Sequence, residues 1–328
     1  MNIRHHFLHR TVLFSAALCA VLCCQHMHAQ IEEVSRGLGS RGPVLTFESI
    51  GRGDTVFAAT GSGQLFRSAD TGRSWSLLRA VSEEQAICSL QESGGELLAG
   101  CRDGAVLAST DAGSTWTQQY RFSGNSAVTA FTSNAYGTLT ISESGEIASR
   151  HHDTQQWDSI GTAPCIFCID MMFAADSVLV VGSNGEGIVL SHDGGKTWRG
   201  PEACPLSGLI TDLETCPCGG ILASTSNLAM YHSSDAGNHW ELFEDGSCSG
   251  PKGRLQDIAV TDDSLIFGAK SVSIGMWRGH GFQHGLNYNL ITPPHSLYCL
   301  MDGHLLIGDS LGGIFRTFVK PYPEEATD

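Results

Sequence analysis

Short apolar runs recur along this chain, each bounded by Gly, Asn, Asp or Ser. One set reads Thr55–Thr60, Glu96–Gly100, Ser177–Gly182, Gly220–Ser224, Ser264–Gly268 and His304–Gly308. A second set follows after a short turn, as in Gln64-Leu65-Phe66-Arg67, Ala105-Val106-Leu107-Ala108, Gly187-Ile188-Val189-Leu190 and Gly313-Ile314-Phe315-Arg316. Runs this short, rich in β-branched residues and punctuated by turn formers, predict strands. No sustained helical period follows the N-terminal segment, so no helix is predicted.

The polar positions repeat as well. Ser68-Ala69-Asp70-Thr71-Gly72-Arg73-Ser74-Trp75 and Ser109-Thr110-Asp111-Ala112-Gly113-Ser114-Thr115-Trp116 share one pattern. Ser191-His192-Asp193-Gly194-Gly195-Lys196-Thr197-Trp198 and Ser233-Ser234-Asp235-Ala236-Gly237-Asn238-His239-Trp240 share it too: S-x-D-x-G-x-x-W. A worn copy, His151-His152-Asp153-Thr154-Gln155-Gln156-Trp157, keeps Asp153 and Trp157 and loses the glycine. The tryptophans fall at 75, 116, 157, 198 and 240, and the next step of the lattice lands on Phe282. Counting units by their second run places seven, near 57, 98, 140, 180, 222, 266 and 306.

Four short strands in each such unit make a propeller blade. The predicted fold is therefore all-β, a seven-bladed β-propeller of four-stranded antiparallel blades. Six blades plus a hairpin is the alternative. The last unit ends after its third strand, at Phe315-Arg316-Thr317-Phe318, and Ile31-Glu32-Glu33-Val34 can supply the fourth. Pairing the two ends would remove the exposed sheet edges. In each S-x-D-x-G-x-x-W turn the aspartate can accept backbone N–H groups of its own turn. The glycine supplies a positive φ, and the Trp packs into the blade with its N–H near a turn carbonyl. Asp70, Gly72, Trp75, Asp111, Gly113, Trp116, Asp153, Trp157, Asp193, Gly195, Trp198, Asp235, Gly237 and Trp240 are thus expected to be structural.

These motifs resemble the Asp-box repeats, also called BNR repeats, of sialidases, sortilin-type receptors and xyloglucanases. Repeat length and blade count are most similar to the photosystem II assembly and stability factor family. The resemblance covers nearly all of the chain after the N-terminal segment. It implies the fold, and little about function, because the repeat occurs in enzymes and non-enzymes alike. A sialidase-like activity would need three arginines gripping the substrate carboxylate. The family's Arg-Ile-Pro segment has only Arg41-Gly42-Pro43 as its nearest match here.

The N-terminus carries Arg4 and Arg10 ahead of an apolar run, Thr11 to Cys24, too short to span a bilayer comfortably. Residues 1–29 are expected to be a signal peptide cleaved after Ala29, residues 30–320 the propeller and 321–328 a tail. Whether Cys19, Cys23 or Cys24 is lipidated stays open. Export implies a secreted or periplasmic protein with no membrane span. A net charge of −15 with no offsetting basic cluster argues against nucleic acid as a partner.

Nine cysteines remain after the signal: Cys88, Cys101, Cys165, Cys168, Cys204, Cys216, Cys218, Cys248 and Cys299. Export permits disulfides, and an odd number leaves one over. Cys165-x-x-Cys168 and Cys216-x-Cys218 could each close a local disulfide, or converge on a metal, which needs two well-spaced pairs. Counting back from the small residue that ends each second strand reaches Glu48, Cys88, Ala130, Asp170, Asp212 and Asp257 on the innermost strands. Glu48, Asp170, Asp212 and Asp257 are the candidate channel-mouth binding residues, suited to a cation or a basic peptide. Their competing role is to clip blade to blade through backbone bonds. No catalytic residue, metal site or cofactor is expected. The reading is a monomeric, non-enzymatic scaffold binding a protein or glycan, with a sialidase-like glycoside hydrolase or a glycan-binding propeller as the alternative.

Overall fold

The computed structural model describes residues 31–318, apart from 37, 40–41, 52, 176, 202–205, 207–208, 217–218, 245–254, 262–264, 271–272, 279–280 and 287–291. Of residues 244, 273, 278 and 281–286 it describes the backbone alone. The expected signal peptide, the tail and Cys204, Cys218 and Cys248 lie outside the described residues.

Seven antiparallel sheets form, and with them the six-blade alternative falls away. The innermost strands of blades one to seven are Val44–Ile50, Ile87–Ser93, Val128–Ser133, Cys168–Ala175, Ile210–Thr215, Leu255–Val260 and Pro294–Cys299. Blade four shows three strands, with a lone Leu190–Arg199 bridge where the fourth would run. The second strands are covered on both faces by neighbouring blades. Val178–Ser183, Ile221–Thr225 and Leu265–Lys270 are buried almost throughout, which is why they read as continuous apolar runs. An outermost strand such as Thr117–Arg121 faces water and is accordingly polar.

The ring closes as the end residues predict. Glu32 and Glu33 pair with Arg316 and Phe315 as the fourth strand of blade seven. Val34 N–H donates to Ile314 O at 2.9 Å, and Ile314 N–H to Ser35 Oγ at 2.7 Å. One feature is common to all seven blades and was not predicted. Each innermost strand carries a bulge at its second residue, as between Val44 and Thr46 or between Cys168 and Asp170. A bulge bends the strand and re-aims its side chains, and here it does so at the start of the channel wall.

Candidate functional site

The innermost strands enclose a central cavity of about 690 Å³. Register brings one residue of each blade to the same level, just past the bulge. These residues are Thr46, Ser89, Ala130, Asp170, Asp212, Asp257 and Ser296. Three predicted acids therefore do stand side by side, on blades four, five and six. Glu48 does not join them. It pairs with Phe57, one pleat further along, at the level of Glu214 opposite Leu222. The count failed there because Thr46, not Glu48, faces the small residue Ala59, and the turn between first and second strands varies in length.

Each of the three aspartates reaches across to the next blade. Asp170 Oδ2 accepts the Leu213 N–H at 3.2 Å, Asp212 Oδ2 that of Ile258 at 2.9 Å, and Asp257 Oδ2 that of Leu297 at 2.6 Å. Asp170 and Asp212 also accept the N–H of the residue that follows them. Where the position holds serine the polarity reverses. Ser89 Oγ donates to Val128 O at 3.1 Å and Ser296 Oγ to Val44 O at 2.8 Å, again in the next blade. These serine clips carried no signal in the sequence that would set them apart from turn serines.

Burial holds the carboxyls up. Asp170 is pushed to about 7, mainly by desolvation. Asp212 is raised well above the usual carboxylate range by burial and by the flanking carboxylates of Asp257 and Asp170. Burial raises Asp257 and Glu214 as well, and pushes Glu48 to about 8, with Glu92 adding repulsion. Burial and mutual repulsion thus favour proton sharing among the three neighbouring aspartates.

The turns of the opposite face are built as the pattern suggests. In the third, Asp193 Oδ1 accepts the Thr197 N–H at 2.8 Å and Oδ2 the Thr197 hydroxyl at 2.6 Å. Ser191 Oγ donates to Asp193 Oδ1 and accepts the Gly195 N–H, each at 2.8 Å. Trp198 Nε1 donates to Gly195 O at 3.1 Å. The turns at Asp70, Asp111 and Asp235 repeat this scheme, with His239 Nδ1 replacing the hydroxyl in the last. Gly237 has φ +85°, and a Cβ there would lie 2.8 Å from Leu190, so the turn needs glycine both for conformation and for space.

The worn turn is a different object. Strand register sets Trp157 level with the other tryptophans but Arg150 level with their serines. His152 therefore stands where the aspartate stands elsewhere. Asp153 lies one residue further on, its side chain 88% exposed beside His151. Arg150 is buried, pairs with Glu96 of blade two at 2.7 Å and lies over the Trp157 ring. A cation–π contact and an ion pair replace the aspartate scheme at this corner.

The cysteine alternatives resolve in part. Cys165 and Cys168 form a disulfide, and Cys216 is disulfide-bonded too. Cys88 and Cys101 are free thiols. Among the described residues no three His, Cys, Asp or Glu side chains cluster in a way that could hold a metal ion.

Seven blades, a closed ring and a narrow axial cavity define the comparison with known folds. The chain has the fold of the YCF48 propellers. It superposes on YCF48 bound to D1 peptide with a TM-score of 0.71 at 14% identity, covering 91% of this chain and 98% of that one. YCF48 from Cyanidioschyzon merolae gives 0.69 at 12% identity, covering 88% and 99%. A streptogramin B lyase gives 0.74 at 13% identity, covering 88% and 96%. At these identities the likeness is one of fold. No family model and no curated protein matches the sequence. No helix among the described residues is long and apolar enough to cross a membrane.

Proposed function

We propose that this chain is an exported, non-enzymatic scaffold of the Asp-box class that holds a protein segment at the acidic mouth of its channel. The observation that carries the reading is the chemistry of the cavity wall. It presents Asp170, Asp212, Glu214 and Asp257, and no arginine or lysine among the described residues. A sialidase-like site needs guanidinium groups converging on an anion. Here Arg73, Arg121, Arg150 and Arg316 all pair with acids away from the cavity. The aspartates keep their blade-clipping bonds while their carboxyls line the mouth, ready to ionise against a cation, so clip and binding surface coexist. The similar YCF48 propeller bound to a peptide supports a protein segment as the ligand.

The test is capture. The chain without residues 1–29 serves as bait in its host's envelope and secreted extracts, with hydrogen exchange mapping the protected face. The reading expects a saturable protein partner that protects the loops around the mouth. Protection confined to the S-x-D-x-G-x-x-W turns, or no protein partner at all, would overturn it.

A further inference from the structure

The loop joining blade three to blade four departs from its counterparts. The two preceding loops turn Glu83-Glu84-Gln85 and Ser123-Gly124-Asn125 to solvent. This one turns out Ile166 and Phe167, 58% and 57% exposed. Its ends, Cys165 and Cys168, are buried and joined by the disulfide. Three hydrogen bonds tie its backbone down. Ile166 N–H donates to the Glu186 carboxylate at 3.0 Å, Asn184 N–H to Phe167 O at 3.1 Å, and Cys168 N–H to Glu143 O at 3.0 Å. Phe167 has φ +53°, a conformation bulky residues rarely adopt. Two large apolar side chains are thus held into water by a fixed loop.

Blade five repeats the arrangement. Leu209 occupies the place of Phe167, its carbonyl likewise accepting the next turn's N–H, from Ser226 at 2.8 Å, and it is 43% exposed. In blades one to three the place holds Pro43, Ala86 and Ala127. Three residues after Phe167 and Leu209 come Asp170 and Asp212. Blades four and five therefore each set an exposed apolar side chain on the rim above a carboxylate in the channel wall.

We propose that Ile166, Phe167 and Leu209 are the docking rim for a protein segment in which apolar residues alternate with lysine or arginine. The inference rests on the mouth being a protein-binding face, and charge complementarity selects the partner. Apolar side chains cover the rim, while a cation meets the wall of Asp170, Asp212 and Glu214. A bound cation favours the ionised carboxylates, so binding tightens as pH rises from 5 to 8.

The test titrates the full chain into two labelled synthetic peptides of equal charge, one alternating Lys with Leu and one alternating Lys with Ser, read by fluorescence anisotropy. The Lys–Leu peptide is expected to bind at least about tenfold tighter, a difference of about 1.4 kcal/mol. Ile166→Ser with Phe167→Asn is expected to remove that advantage at an unchanged melting temperature, since Asn tolerates positive φ. Leu209→Ser, in a separate loop, is the second variant should the first misfold, and is expected to weaken the Lys–Leu peptide too. Equal binding of the two peptides, undiminished binding by folded variants, or no binding to the parent chain overturns the rim. If a native partner still protects the mouth loops in the capture experiment, only the rim inference falls. If none does, the broader reading falls with it.

Discussion

Two sets of aspartates in this propeller do the same thing, accepting backbone N–H groups, and respond to it in opposite ways. In the turns the partners are four residues away, as from Asp111 to Thr115, and the side chain stands in water. Hydrogen bonds dominate, and Asp111 falls to about 2. In the channel the partners are 40 to 46 residues away, on the next blade. There desolvation and neighbouring carboxylates dominate, and Asp170 rises to about 7. The hydrogen bond does not set the sign; burial does.

The largest expected effect comes from breaking a channel clip. Asp257→Ala leaves the Leu297 N–H without its acceptor, and the loss should be about 2–3 kcal/mol at pH 5, read from urea unfolding. At pH 5 little repulsion from Asp212 is relieved, so the clip is seen alone. A loss below that of Ser89→Ala, for which about 1 kcal/mol is expected, would mean the carboxylates do not clip the blades.

Next is the turn itself. Ser191 is buried and bonded both to Asp193 and to the Gly195 N–H. Ser191→Ala should cost about 1–2 kcal/mol. Turn bonds hold Asp193 below the usual carboxylate range, so it stays ionised and the cost should persist down to pH 3. A cost already lost at pH 3 would remove the ionised aspartate from the scheme.

The pH dependence separates the two sets directly. Turn aspartates have lowered folded-state pKa values, so their stabilisation is present above the unfolded value near 4 and is lost as pH falls toward 2. Channel acids have raised values. The folded state then holds protons that the unfolded state has released, so stability falls as pH rises from about 4 through about 7. Melting temperature should peak on the acid side of neutrality. Asp212→Asn keeps an acceptor for the Ile258 N–H and removes the central charge. It should stabilise by about 1 kcal/mol at pH 8 and by nearly nothing at pH 5. Parallel pH curves for the two proteins would show that the channel carboxyls are not strained by burial.

The same contrast explains what could be read from the sequence. Blade number, ring closure and the four intact turns rest on local spacing, and Glu32–Glu33 pairing with Arg316 and Phe315 follows once seven units are counted. The channel level does not. Three acids were found by counting, but Glu48 was misplaced because the count crosses a turn of variable length. The apolar rim was hidden further, since Cys165-x-x-Cys168 shows a staple and not which face the staple points to.

Asp153 gives the smallest effect and the sharpest test of reading by pattern. By residue type it belongs with the turn aspartates, but it lies four residues before its Trp where they lie five, and by register it stands one residue beyond them, exposed. Trp157 stays in place without the usual bond, its Nε1 having no partner, and is packed by Arg150 instead. Asp153→Ala should therefore change stability by less than about 0.5 kcal/mol, as surface substitutions do. Arg150→Ala should cost more, about 1–2 kcal/mol, because it leaves the partly exposed Glu96 unpaired and uncovers Trp157. If Asp153→Ala instead matched Asp193→Ala in lowering the melting temperature, the worn turn would work as an aspartate turn after all. The register-based split between the corners would then be wrong.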